Sequence, residues 1–270
     1  VGAVATQSFV EPAYGPLGLQ LLKSGKTAPA ALAALLAAER HPGVRQVALV
    51  DAQGNVAVHT GDKCIPAAGH RLGKTYSCQA NMMARGTVWD AMAKAFESTS
   101  GELVDRLLAA LLAAEQEGGD IRGRQAAAIL VVSGKATGTP WKERVYDLRV
   151  EDHPQPLAEL RRLVTIAKAY NHMNRGDELL TLNDPKAALE EYSRAMAIYP
   201  GNPEMVFWPA VTLAATGKVE ESLPLFRRVF AQDPNWAELL QRLPGVGQFP
   251  DEPELLRRIL ALLPGEGKGN

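Results

Sequence analysis

The side chains with the most chemistry to offer stand together in Gly118-Gly119-Asp120-Ile121-Arg122-Gly123-Arg124-Gln125, directly ahead of an apolar run at residues 126–132. That run, closed by Ser133-Gly134, predicts a strand buried on both faces. The turn would then set Asp120, Arg122, Arg124 and Gln125 at the mouth of a buried sheet, where an unpaired charge is costly. Either guanidinium could hold a ligand carboxylate through two hydrogen bonds, with Asp120 orienting it or gripping a substrate amine. The same acid and bases would serve equally well to tie the turn down. These four are the leading substrate-binding candidates.

Other candidates each have an ordinary structural use beside the chemical one. Asp147 and Arg149 lie two residues apart on one strand face, and either extend the same polar cluster or form a surface ion pair. Gln79 and Asn81, at a strand end, offer an oxyanion-type donor pair or simply satisfy loop carbonyls. Asp152-His153-Pro154 reads as a cap for the helix that follows, with His153 as a general base the bolder alternative. Cys64 sits on a loop with His59 and His70 nearby in sequence, but without a recognisable Cys–His signature. The five histidines show no helical pairing and the two cysteines no Cys-x-x-Cys spacing, so no metal is expected. The glycines lack the strand–turn–helix setting of a phosphate loop, and no cofactor is expected either.

The elements that must position these residues alternate along the first part of the chain. Residues 1–5 predict a buried strand ending at Thr6-Gln7-Ser8, and residues 14–22 a short helix stopped by Gly25. Pro29 suits the first position of a second helix, rich in Ala and Leu to residue 38. Residues 44–50 and 56–60 flank a turn-rich loop and predict a hairpin. Residues 63–74, punctuated by glycine, read as an irregular loop holding His70 and Arg71, and residues 76–80 as an inner strand. Helices are expected over 88–96 and 102–117, and a last strand over 144–150.

Bulk composition narrows the function classes. At 270 residues there is room for about two domains. The net charge of −1 argues against a nucleic-acid partner, and neither half is a charged tail, with 16 basic and 15 acidic residues through 153 and 13 and 15 after it. No run approaches the roughly eighteen apolar residues of a membrane span. Two cysteines are too few for a disulfide framework, which makes a reducing cytoplasm the easier setting.

The octapeptide also resembles the most characteristic motif of the family catalogued as domain of unknown function 1028. Val1-Gly2-Ala3-Val4-Ala5-Thr6-Gln7-Ser8, Pro12-Ala13-Tyr14-Gly15-Pro16-Leu17-Gly18, Val50-Asp51-Ala52-Gln53-Gly54 and residues 146–154 match it in the same order, over roughly residues 1–160. The resemblance implies an α/β fold like that of the N-terminal-nucleophile (Ntn) hydrolases, a four-layer sandwich of two sheets between helices. Such hydrolases attack with the side chain of their first mature residue, using its own α-amine as base. Val1 has no nucleophilic atom, so the resemblance implies that the first strands and the nucleophile are missing here. Sheet edges would then lie open unless another chain, including a second copy, covers them. Family members commonly carry Ser after the motif's Gln, where Ala126 stands.

The last third repeats itself. Pro200 and Pro234 are 34 residues apart, and the same offset pairs Ala188 with Ser222, Tyr192 with Phe226 and Ala195 with Val229. These resemble the small, aromatic, small and proline positions of a tetratricopeptide repeat. Asn183 pairs with Gly217 where a tight turn needs the left-handed conformation, and Asp184-Pro185 and Asn202-Pro203 read as helix caps. Gly176 fits the first helix of a repeat, whereas His172 stands where an aromatic is usual. The expected organisation is an Ntn-hydrolase-like domain over 1–155, an all-α tetratricopeptide-like domain over 156–264 with a helix at 157–170 ahead of the repeats, and a disordered tail over 265–270. Two functions follow: an amide (C–N bond) hydrolase acting on a small metabolite, or a non-catalytic protein whose repeats recruit a peptide or protein partner.

Overall fold

The computed structural model describes residues 1–264, and the tail expected over 265–270 lies outside the described residues. The chain divides into two compact units, Val1–Arg161 and Arg162–Asn270. In the first, β1 (Gly2–Ser8), β2 (Arg45–Asp51) and β3 (Val56–Thr60) form an antiparallel sheet in the order β1-β2-β3. Gly2 pairs with Asp51, Ser8 with Arg45, and Val50 with Val56 across the expected hairpin. Asp51 holds that hairpin's turn by accepting from the N–H groups of Gln53 (3.0 Å) and Asn55 (2.9 Å). Its second oxygen accepts from Ala28 N–H at 2.9 Å, at the start of the second of two helices, α1 (Tyr14–Lys23) and α2 (Ala28–Ala37). Strand alternation turns Val4, Val47 and Leu49 to these helices, where they pack with Leu22, Leu32 and Leu35. Residues 1–5 are not the buried strand expected: β1 is the sheet's edge, with Ala3 and Ala5 exposed.

The other half of the unit has two short ribbons, β4 (Gly69–Leu72) with β5 (Ser77–Ala80), and β6 (Ala127–Val132) with β7 (Arg144–Val150). Helices α3 (Val88–Ser98) and α4 (Leu103–Gln116) pack against each other, α3 on β4–β5 and α4 on β6, while β4 and β5 also meet β3. The layers therefore run helix, sheet, sheet, helix. His70 and Arg71 belong to β4 rather than to an irregular loop. The glycines that suggested a loop instead make room for rings: a Cβ on Gly69 would lie 2.5 Å from Trp89, and one on Gly73 1.9 Å from Tyr76. β6 departs from expectation too, because it is buried on one face only. Ile129 and Val131 are buried, but Leu130, on the opposite face, is 58% and Val132 48% exposed.

The second unit is helical. The division falls within α5 (Pro156–Thr181), which is followed by α6 (Pro185–Ile198), α7 (Glu204–Ala215), α8 (Val219–Gln232), α9 (Asn235–Arg242) and α10 (Pro253–Leu260). The helix expected at 157–170 and the first repeat helix are one continuous element, since no proline interrupts it and Gly176 is a packing position. A Cβ there would lie 2.3 Å from the Tyr192 ring. Asn183 and Gly217 adopt φ of 60° and 83° in the two interhelix turns. Asp184 caps α6 by accepting from Ala187 N–H at 3.1 Å, and Asn202 accepts from Glu204 N–H at 3.0 Å. Ala188, Tyr192 and Ala195, and at the same offset Ser222, Phe226 and Val229, are all buried.

One polar cluster ties α1 and α2 to the first sheet. Glu39 accepts from His41 N–H, from Arg45 Nε and from the Tyr14 hydroxyl, each at 2.9 Å. Those donors, His41 first, hold its carboxyl down at about 2. A carboxyl depressed on folding stabilises fully above its ordinary pKa of 4.5, and that contribution disappears as the pH falls through about 2. Glu39→Gln should therefore lower the denaturant midpoint at neutral pH and remove part of the midpoint's fall between those two values, as read from urea unfolding at stepped pH.

Candidate functional site

The motif loop begins where α4 ends. Gly118 and Gly119 have φ of 114° and 60°, a conformation that side chains resist. They turn the chain back, with Gly119 N–H donating to Ala114 O at 3.0 Å. The loop then lies antiparallel to the segment after β5: Ala84 N–H donates to Gly119 O, and Ile121 N–H to Met82 O, both at 2.9 Å. Asp120 closes a tight turn by accepting from Arg122 N–H at 2.9 Å and from its guanidinium at 3.0 and 2.7 Å. The guanidinium bonds, chiefly, hold the Asp120 carboxyl below its usual range. Arg124 pairs with Glu115 of α4. His153 N–H donates to Gln125 O at 2.9 Å, which ties the motif's far end to the chain leaving β7.

These residues line a cleft of about 780 Å³ with Met83, Asp152 and Leu157. The structure thus brings Asp120, Arg122, Arg124 and Gln125 together, as the sequence suggested. It also spends both guanidinium groups on acids of the same cleft, and no hydroxyl, thiol or imidazole lines it among the described residues. Asp147 and Arg149 lie elsewhere, on β7, where Arg144 and Arg149 both pair with Asp147 at 2.7 and 3.1 Å. At the entrance to α5, Gln155 N–H donates to the His153 ring at 3.0 Å, a capping contact made by His153 rather than Asp152.

A second polar centre sits between the two sheet layers, around a residue not singled out from the sequence. Gln46 is fully buried on β2. Its amide nitrogen donates towards Thr60 Oγ1 (2.9 Å), Ala80 O (3.0 Å) and Gly69 O (3.1 Å). Its oxygen accepts from Gln7 Nε2 at 2.5 Å and Asn81 Nδ2 at 3.1 Å. Gln79 lies beside them, its side-chain oxygen accepting from Ser77 and its carbonyl from Gln7. The Asn81 amide is therefore engaged in a structural network, whereas Gln79 joins that network through its oxygens as an acceptor. A polar residue in the apolar strand 44–50 was the only sequence signal for Gln46. Neither thiol is poised to attack: Cys64 is buried and donates to Arg45 O at 3.4 Å, and burial pushes Cys78 up to about 11. No cluster of three or more metal-binding side chains occurs among the described residues.

The helical unit has its own concavity of about 630 Å³. Trp208 and Leu180 form apolar wall, and Asp177, Thr212, Thr216 and Gln248 supply polar groups. The Tyr192 hydroxyl donates to Asp177 Oδ1 at 2.6 Å, and burial together with that carboxylate raises the phenol well above its ordinary value. No helix among the described residues is long and apolar enough to cross a membrane.

Comparison with known proteins adds family relationships. Residues 1–160 match the model of a family of unknown function, DUF1028, and residues 179–243 match a tetratricopeptide repeat. A crystal structure of protein SPO2555 from Silicibacter pomeroyi, described with the same family model, is similar at 29% identity and a TM-score of 0.54. The match covers 61% of this chain and 71% of that one. No curated protein matches.

Two outcomes follow from these geometries. Arg122→Ala should move the Asp120 carboxyl titration, read by carbon NMR, upward toward its ordinary value. Gln46→Leu should cost about 1–3 kcal/mol in urea unfolding, because it leaves the half-buried amides of Gln7 and Asn81 and the carbonyls of Gly69 and Ala80 short of a partner.

Proposed function

Because the chain belongs to the family of unknown function DUF1028 and carries tetratricopeptide repeats, we propose that it is a binding protein that recruits a peptide segment of a partner through the helical unit. The concavity at Tyr192 and Asp177 carries this reading. It joins an apolar wall at Trp208 and Leu180 to a carboxylate whose Oδ2 has no hydrogen-bond partner among the described residues. That combination suits an apolar side chain next to one that donates hydrogen bonds, such as lysine or arginine. In the first unit the cleft around Asp120, Arg122, Arg124 and Gln125 would hold a small polar ligand without transforming it, since no hydroxyl, thiol or imidazole lines it among the described residues.

A second reading, hydrolysis of an amide in a small metabolite, is favoured by the layer order of helix, sheet, sheet, helix, as in the N-terminal-nucleophile hydrolases. In that reading the four cleft residues bind substrate, and neither Cys64 nor Cys78 serves as the nucleophile, since both are buried. Fold likeness by itself does not carry an activity.

The peptide reading is tested by fluorescence polarisation against a library of labelled peptides pairing aromatic or aliphatic residues with basic ones. Saturable binding is expected, and Ala215→Arg, which fills the concavity from an exposed position, should weaken it by about tenfold or more. If no such peptide binds and purified chain releases ammonia or amine from small amides, the hydrolase reading replaces it.

A further inference from the structure

The pairing of β6 with β7 runs on past their last named pair into the motif cleft. Ala127 faces Val150, so the same register sets Gln125 opposite Asp152, and His153 N–H still donates to Gln125 O at 2.9 Å there. Facing residues of an antiparallel pair hold their Cβ atoms about 4.5–5.5 Å apart on one face. Gln125 and Asp152 both line the cleft, and neither side chain has a hydrogen bond or ion pair among the described residues. Arg124 bonds Glu115 through Nε alone, which leaves the fork of Nη1 and Nη2 free one residue from Gln125. Charge narrows what fits. Glu115, Asp120 and Asp152 against Arg122 and Arg124 leave the cleft with one negative charge in excess. Asp120 and Glu115 each hold an arginine, so the excess resides on Asp152. Met83, Leu111 and Leu157, all half-buried, give the cleft an apolar wall.

We propose that this cleft binds a free α-amino acid with an apolar side chain, its ammonium on Asp152 and its carboxylate on the Gln125 amide and the Arg124 fork. The inference rests on the reading of the cleft as a site for a small polar ligand, and names that ligand's class. An unpartnered acceptor and an unpartnered donor on facing residues call for a ligand whose own donor and acceptor lie close together. In an α-amino acid both charged groups sit on one carbon, a separation that such facing side chains bracket. A plain anion would meet the Asp152 carboxylate without a cation to offset it, and a plain amine would leave the amide and the fork unmatched. The interior of a peptide chain offers neither charge. The side chain of the amino acid then lies along Met83, Leu111 and Leu157.

The test titrates L-leucine into the full chain by calorimetry, beside isoamylamine, which lacks its carboxylate, and isocaproate, which lacks its ammonium. Saturable leucine binding is expected, with each truncated analogue weaker by about tenfold or more. Asp152→Asn should weaken leucine by about tenfold or more and leave isocaproate unaffected, whereas Arg124→Gln should weaken leucine and isocaproate and leave isoamylamine unaffected. Both positions are exposed, so an unchanged melting temperature is expected and checks that each variant folds. Ala215→Arg, in the helical unit, should leave leucine binding as it is. Leucine bound no more tightly than either analogue, or insensitive to Asp152→Asn, overturns the amino-acid proposal but keeps the cleft as a ligand site. Leucine binding abolished by Ala215→Arg overturns it too, by moving the ligand to the helical concavity. If neither leucine nor glutarate, putrescine or phosphate binds, the proposal and the ligand reading of the cleft fall together.

Discussion

The arrangement of the first unit depends on one buried amide. Gln46 sits near one end of the sheet's middle strand, between Gln7 and Thr60, and it reaches out of that sheet to carbonyls at Gly69 and Ala80. Those two carbonyls belong to facing ends of β4 and β5, so the second layer is located by hydrogen bonds from the first. Apolar packing alone would let two layers slide, because it has no direction. A satisfied amide in a low-dielectric interior allows one placement, since any other leaves several groups unpaired. Gln7 and Asn81 complete the set, so that β1, β2 and the exit of β5 meet at a single point.

Glycine does complementary work at the other places where the layers must approach or turn. At Gly69 and Gly73 it admits the rings of Trp89 and Tyr76, and at Gly118 and Gly119 it lets α4 end sharply enough for the motif to lie along residues 82–84. The charged motif is consequently held by backbone bonds, while its side chains pair locally. Arg122 is well exposed, and pairs of that kind add little stability. What they contribute is a fixed disposition of charge at the rim of a cleft.

In the helical unit the same logic appears as repetition. Small residues at Gly176, Ala188 and Ala195 let neighbouring helices approach, and the aromatic at Tyr192 fills the space so made. The next repeat replaces them with Ser222, Phe226 and Val229, equally buried. Tyr192 also carries a polar tip, and its hydroxyl meets Asp177 in the concavity. A core position thus shapes the wall of the site proposed to bind peptide.

The sequence by itself determined the local features: both repeat turns, the caps at Asp184 and Asn202, the β2–β3 hairpin, and helices placed within a few residues of their ends. Each rests on neighbours in the chain, where φ preference, capping and periodicity act over a few residues. The clustering of Asp120, Arg122, Arg124 and Gln125 was legible for the same reason. Only the tertiary structure decided that Gly69 and Gly73 serve aromatic packing, that Gly176 continues a helix, that β6 keeps an open face, and that Gln46 is the hub between layers. Apart from Gly73, whose Tyr76 is close in the chain, those outcomes depend on side chains far away in sequence. An apolar run reports that it wants burial, but whether both faces obtain it depends on which elements pack above and below it.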